Sequence, residues 1–132
     1  RGIGPTLAQF NLMGVLEDPI LKLYRGNDEV TANDDWASQM DSDAVRSYWQ
    51  GAGAFDLADP SKDGALYQVL SEGLYTAQVR GVGGTGGIGL VEVYDVGDAS
   101  SGLLTNISTR GRIGGGADIM IMGFVLSMFT LI

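Results

Sequence analysis

The chain reads as an all-β, antiparallel sandwich with at most short helical turns, and three features of the sequence predict it. Glycine is abundant, 21 of 132 residues, and falls between short β-prone runs rather than in a collagen-type period. Several segments alternate apolar and polar residues with period two, the pattern of a strand with one buried face. Turn signals separate these segments at the close, regular spacing of sandwich strands. A length of 132 residues suits one module with a single sizeable core.

The elements follow in chain order. The stretch Gly2-Ile3-Gly4-Pro5-Thr6-Leu7 carries glycines and a proline that disfavour a helix start. Beyond Pro19, the alternation of Leu21, Leu23 and Tyr24 predicts a strand over residues 20–25, with a turn at Gly26-Asn27-Asp28 and a returning strand at Val30 to Ala32. Residues 33–63 are the most polar part, and a segment around Ala44 to Trp49 predicts one or two helical turns, with Asp43 as a cap and Gly51 and Gly53 closing it. Strands are expected again over Leu66 to Leu70, over Leu74 to Arg80 and over Ile88 to Val96. In the second of these, Tyr75, Ala77 and Val79 share one face, and Thr76, Gln78 and Arg80 share the other. The second and third read as an antiparallel pair joined by the glycine-rich loop 81–87. A strand over Leu103 to Ser108, a turn over Gly111 to Gly116 and the apolar run Ile119 to Ile132 complete the chain. A bilayer-spanning helix needs roughly 20 apolar residues, so this run predicts no membrane insertion but one or two strands buried on both faces.

Composition removes whole classes of chemistry. With no Cys and no His, zinc sites, thiol nucleophiles and every imidazole-dependent triad are closed. Neither a base nor a nucleophile stands out, so no enzymatic activity is expected. A net charge of −8 argues against nucleic acid and against an anionic lipid surface as partners. The first residue is Arg1 rather than Met, which points to processing or trimming of a longer chain, and no signal peptide remains to read.

Candidate sites are few. Asp28, Glu29, Asn33, Asp34, Asp35, Asp41 and Asp43 form a stretch without Lys or Arg, and clustered carboxylates on loops are what a hard cation needs. A structural Ca²⁺ is therefore the one cofactor the residue types admit, with Asp34 and Asp35 as its ligands. The spacing is not that of an EF-hand loop, and the favoured reading is a solvated acidic face with Asx turns. Paired acids could also serve glycoside hydrolysis, but no pair is singled out, and Trp36, Tyr48 and Trp49 read as core or interface anchors ahead of sugar-stacking platforms. The run Gly84-Thr85-Gly86-Gly87-Ile88-Gly89 matches the dinucleotide fingerprint formally. That fingerprint requires a following helix, and the β-prone Leu90-Val91-Glu92-Val93-Tyr94 makes the run a hairpin loop instead. Asn106-Ile107-Ser108 fits the N-glycosylation pattern, with a structural role for Asn106 as the favoured reading.

Three groups of residues carry a family resemblance: Gly4-Pro5-Thr6-Leu7 leading to Gly14-Val15-Leu16-Glu17-Asp18-Pro19; Asn33-Asp34-Asp35-Trp36; and Tyr75-Thr76-Ala77-Gln78-Val79 leading to Val91-Glu92-Val93-Tyr94. Together with Asn106 to Arg112 and Gly123-Phe124-Val125, they resemble a repeat module of large exported proteins of environmental bacteria, of the verrucomicrobial and planctomycete type. The middle portion is also similar to bacterial pre-peptidase C-terminal domains, which implies a jelly-roll-like sandwich. In tandem modules of this kind a strand like Phe129-Thr130-Leu131-Ile132 runs directly into a segment like Arg1-Gly2-Ile3-Gly4-Pro5, and here those segments lie at opposite termini. The resemblance implies an extracellular or cell-surface structural subunit that polymerises with copies of itself, its termini (1–7 and 119–132) shared with neighbouring units. The residues expected at such junctions are Arg1, Ile3 and Leu7 at one end, and Phe124, Val125, Leu126, Phe129, Leu131 and Ile132 at the other. The alternative is an accessory calcium- or carbohydrate-binding module of a secreted protein, with a surface glycan as partner.

Overall fold

The computed structural model describes residues 1–97 and 105–127. Among these residues seven strands form two sheets. A three-stranded sheet has the order β1-β5-β6, and a four-stranded sheet the order β3-β2-β4-β7. The strands are β1 (Gly2–Ile3), β2 (Pro19–Arg25), β3 (Asp28–Asn33), β4 (Gly73–Gly81), β5 (Gly87–Tyr94), β6 (Asn106–Ile113) and β7 (Met120–Leu126). Every named pairing is antiparallel. The expected all-β sandwich is what the chain forms.

Local sequence accounts for most elements. The turn at Gly26 takes φ 59, a left-handed conformation that glycine adopts without strain, and it closes β2 onto β3. In β4 the buried residues are Tyr75, Ala77 and Val79, as the alternation requires. The helix α1 (Ser42–Gly51) is ten residues long, longer than one or two turns. Its N-cap position is Asp41 and not Asp43, which stands in the first turn, where its charge suits the positive end of the helix. A 3₁₀ helix (Pro5–Phe10) follows β1 with Pro5 in its first turn, where a missing N–H leaves nothing unpaired.

Two apolar cores lie on either side of the three-stranded sheet. Leu21, Ala77, Val79 and Met122 of the four-stranded sheet meet Val91 and Ile113 of the other, with Leu16 among them. On the opposite face of β5, Ile88 and Leu90 pack against Ile3, Leu7, Trp36, Val45, Trp49 and Leu57, contributed largely by α1 and the loops around it. The three-stranded sheet is therefore covered on both faces, which is why β5 reads as an almost unbroken apolar run.

Further expectations change. First, β4 and β5 are not a hairpin: β4 pairs with β2 and β7, while β5 pairs with β1 and β6. The loop between them is a crossover from one sheet to the other, turning through Gly83 and Gly84 at φ 65 and 76. Second, Leu66 to Leu70 is not a strand; beyond the isolated bridge between Gly2 and Gly64 the chain runs unpaired to Gly73. Third, the described part of the C-terminal run is a single edge strand rather than one buried on both faces. Met122 is buried in β7, but Ile121 is 54% and Val125 66% exposed.

Candidate functional site

The N-terminal segment is held by two buried acids that lie far from it in sequence. Asp63 is fully buried, and its carboxylate accepts the N–H of Gly4 at 2.7 Å and of Thr6 at 3.2 Å. It also accepts the hydroxyls of Thr6 and, at 2.6 Å, of Ser61. A buried carboxylate needs this many donors to offset its lost hydration. Glu92 holds Arg1: one carboxylate oxygen accepts from Nε at 3.0 Å and Nη2 at 2.7 Å. The guanidinium gives Nη1 to the carbonyl of Phe55 at 2.6 Å and lies over the Phe55 ring, 4.6 Å from its centroid, with Trp49 and Tyr94 beside it.

The backbone at Arg1 sets up an open position in the sheet. The α-amine of Arg1 donates to the Glu92 carbonyl at 2.7 Å, and the Glu92 N–H donates to the Arg1 carbonyl at 2.9 Å. On its other edge β1 exchanges both bonds between Gly2 and Gly64, each at 2.8 Å. Antiparallel pairing alternates every two residues. Tyr94 therefore turns its N–H and C=O toward the space beyond Arg1, and extending the Gly64 pairing by two residues would turn those of Leu66 toward the same space from the opposite side. The intervening Ala65 points away, as its bonds to Asn33 Oδ1 and Gln39 Nε2 confirm. Among the described residues no strand fills the gap between Leu66 and Tyr94.

This gap opens into a cleft of about 700 Å³. One wall is the four-stranded sheet, with Leu21, Leu23, Ala77 and Phe124; the other is the helical layer, with Val45, Tyr48 and Trp49. The unpaired segment Leu66 to Leu70 and the end of β5 frame it. Burial drives the Arg1 α-amine at its edge down to about 5, with the neighbouring guanidinium adding to the shift. At the mouth, the rings of Tyr48 and Tyr67 stack at 3.9 Å, and the hydrogen-bonding interaction with the Tyr48 hydroxyl, with burial adding, raises the Tyr67 hydroxyl.

The sequence-derived candidates separate. Arg1, Ile3 and Leu7 are buried within the chain's own fold. Phe124 stacks on Tyr75 in the adjacent strand, Leu126 is half-buried, and Val125 faces solvent. Phe129, Leu131 and Ile132 lie outside the described residues. Asp34 is exposed and Asp35 half-buried; the Asp35 carbonyl accepts Ser38 Oγ at 2.8 Å. Among the described residues no three acidic side chains converge in a metal-binding group. The cation beside this pair is Lys62, raised first by its bond to Asp18 and then by the charges of Asp35 and Asp34. Trp36 and Trp49 are core residues in edge-to-face contact at 5.0 Å. Asn106 opens β6, and its side-chain amide donates to the Val93 carbonyl at 3.4 Å.

Sequence reasoning missed Asp63 and Glu92. Glu92 had a signal, a lone acid inside the apolar run Ile88 to Val93, whereas Asp63 sits in a polar loop with nothing to set it apart. Among the described residues no helix is long and apolar enough to cross a membrane. Compared with known proteins, the chain matches no family model, no curated protein and no solved structure.

Proposed function

We propose that the chain is a structural module of an extracellular bacterial fibre or repeat array, in which the C-terminal segment of one copy completes the three-stranded sheet of the next. The observation that carries this reading is the apolar cleft between the four-stranded sheet and the helical layer, framed by the end of β5 and by the unpaired segment Leu66 to Leu70. An extended segment placed there, in line with β1, would exchange backbone bonds with Leu66 at its first position and with Tyr94 at its second. Its side chains would alternate between Leu21, Leu23 and Ala77 on one side and Val45 and Trp49 on the other. Such a strand is buried on both faces and needs a nearly unbroken apolar sequence. Met128-Phe129-Thr130-Leu131-Ile132 offers one, with Phe129, Leu131 and Ile132 as the main apolar contributors. Its direction, C-terminal end toward Arg1, makes the junction head to tail. The family resemblance supports the extracellular setting and the polymer of like units.

Each large apolar side chain removed from water contributes about 1.5–3 kcal/mol before ordering costs, so a three-residue anchor supports a stable junction. The test is electron microscopy and light scattering of the purified chain beside Phe129→Asp, with Met40→Asp as a control on a fully exposed residue that does not line the cleft. Filaments are expected from the parent chain and the control and none from Phe129→Asp, because the charge cannot enter a desolvated slot. Filaments of normal length from Phe129→Asp, or a parent chain that stays monomeric at high concentration, would overturn the reading.

A second reading, an accessory carbohydrate-binding module, draws on the same cleft, whose volume falls in the range of small-ligand sites, and on the stacked tyrosines at its mouth. Retention of monomer on a glycan column, lost with Tyr48→Ala, is its expected signature.

A further inference from the structure

The edges of the two sheets differ in how they discourage pairing. The outer edge of β3 carries exposed Asp28 and Glu29 beside a bulge at Leu23/Tyr24, and β6 carries exposed Arg110 and Arg112. Charges and bulges of this kind keep an edge from joining another sheet. The edge strand β7, Met-Ile-Met-Gly-Phe-Val-Leu, has no charge, no proline and no bulge against β4. Its solvent face presents Ile121 and Val125, and Leu74, directly opposite Val125 on β4, is 67% exposed. In a molecule of net charge −8 two copies repel through most of their surface, and this strand is where they can meet without opposing like charges.

We infer that β7 pairs antiparallel with β7 of a second copy, about a two-fold axis at Gly123, joining two four-stranded sheets into one. The strand is self-complementary in that register. Gly123 faces the partner's Gly123, Ile121 faces the partner's Val125, and Val125 faces the partner's Ile121 on the solvent side. On the inner side Met122 faces the partner's Phe124, and Met120 the partner's Leu126. Every cross-strand contact is apolar or glycine, and such pairs stabilise antiparallel sheets. The small Gly123 lets the two backbones approach at the axis. This lateral contact uses a different surface from the head-to-tail junction and stands without it.

The chain contains no Cys, which gives a direct readout. Gly123 has a backbone conformation open to any residue, and a Cβ there would approach nothing closer than the Tyr75 carbonyl at 4.0 Å. Opposed positions in an antiparallel pair lie about 4.5–5.5 Å apart between Cα atoms, within disulfide reach. Gly123→Cys under mild oxidation is expected to give a disulfide-linked dimer in both the parent and the Phe129→Asp background. In the Phe129→Asp background, light scattering should report twice the 13.9 kDa chain mass. Adding Ile121→Lys and Val125→Lys, both on exposed positions, should halve that mass with the circular dichroism spectrum unchanged. A monomeric mass in Phe129→Asp together with no cross-link in either background would overturn the lateral contact. Filaments that persist in Phe129→Asp would instead count against the head-to-tail junction, and the cross-link would still decide the lateral one.

Discussion

At the scale of single residues, the N-terminal segment depends on two acids whose donors come from across the fold. Asp63→Ala would leave the buried N–H groups of Gly4 and Thr6 without acceptors. Unsatisfied buried donors cost about 1–3 kcal/mol each, so with two of them this variant should lose about 2–6 kcal/mol in urea denaturation. Asp63→Asn keeps one acceptor oxygen and should lose less; equal stability of Asp63→Ala and the parent would show that the segment is held otherwise. The Arg1 α-amine makes a second prediction. Its folded value, about 5, lies below its ordinary value of 8.0, so between these the unfolded chain binds more protons than the folded one. Stability should therefore rise as pH increases from 5 to 8 and level off above. With no His and no Cys, no other group ordinarily titrates in that window, and thermal melts across it read the amine alone. A flat profile would place the amine in water. At the acidic loop, Lys62 already supplies a positive charge to Asp34 and Asp35. Calcium followed by chelator should leave the melting midpoint unchanged.

At the scale of elements, the crossover from β4 to β5 decides which sheet each strand joins. It ends at Gly87, where a Cβ would stand 2.5 Å from the Leu16 nitrogen and 2.6 Å from its Cα. Backbone atoms cannot yield as a flexible side chain does, so Gly87→Ala should cost about 1–3 kcal/mol, the usual range for overpacking, seen as a lower melting temperature. Gly83→Ala tests a separate property of the same loop, because nothing crowds its Cβ but its φ is 65. The segment Leu66 to Leu70 shows how an element can be written in sequence and left unpaired in the fold. Its residues suit a strand, but among the described residues no strand pairs with it.

At the scale of the whole molecule, net charge opposes what the edges favour. Copies carrying −8 repel over a distance of about 10 Å at 0.1 M salt and about 30 Å at 0.01 M. Assembly through apolar contacts should consequently speed up as salt is raised over this range, read by turbidity or scattering. A contact built on ion pairs would slow instead, and that outcome would exclude both the slot beyond Arg1 and the β7 edge as the driving surfaces.

The sequence by itself determined the fold class, the β2–β3 hairpin and the buried face of β4, because alternation and turn chemistry act over a few residues. It also placed the short helix before Gly51, within a turn of its observed length. It did not determine that β4 and β5 part into different sheets, since a glycine-rich loop permits either a hairpin or a crossover, and the close approach of Gly87 to Leu16 is a contact across 71 positions. Nor did it reveal that Ile3 and Leu7 are covered by Trp36, Val45 and Trp49 of the same chain. The candidate site was half legible. The apolar C-terminal run could be read as needing a cover, because hydropathy is local. The slot that would receive such a run exists only once Gly2 meets Gly64 and Arg1 meets Glu92, pairings that the tertiary fold alone brings about.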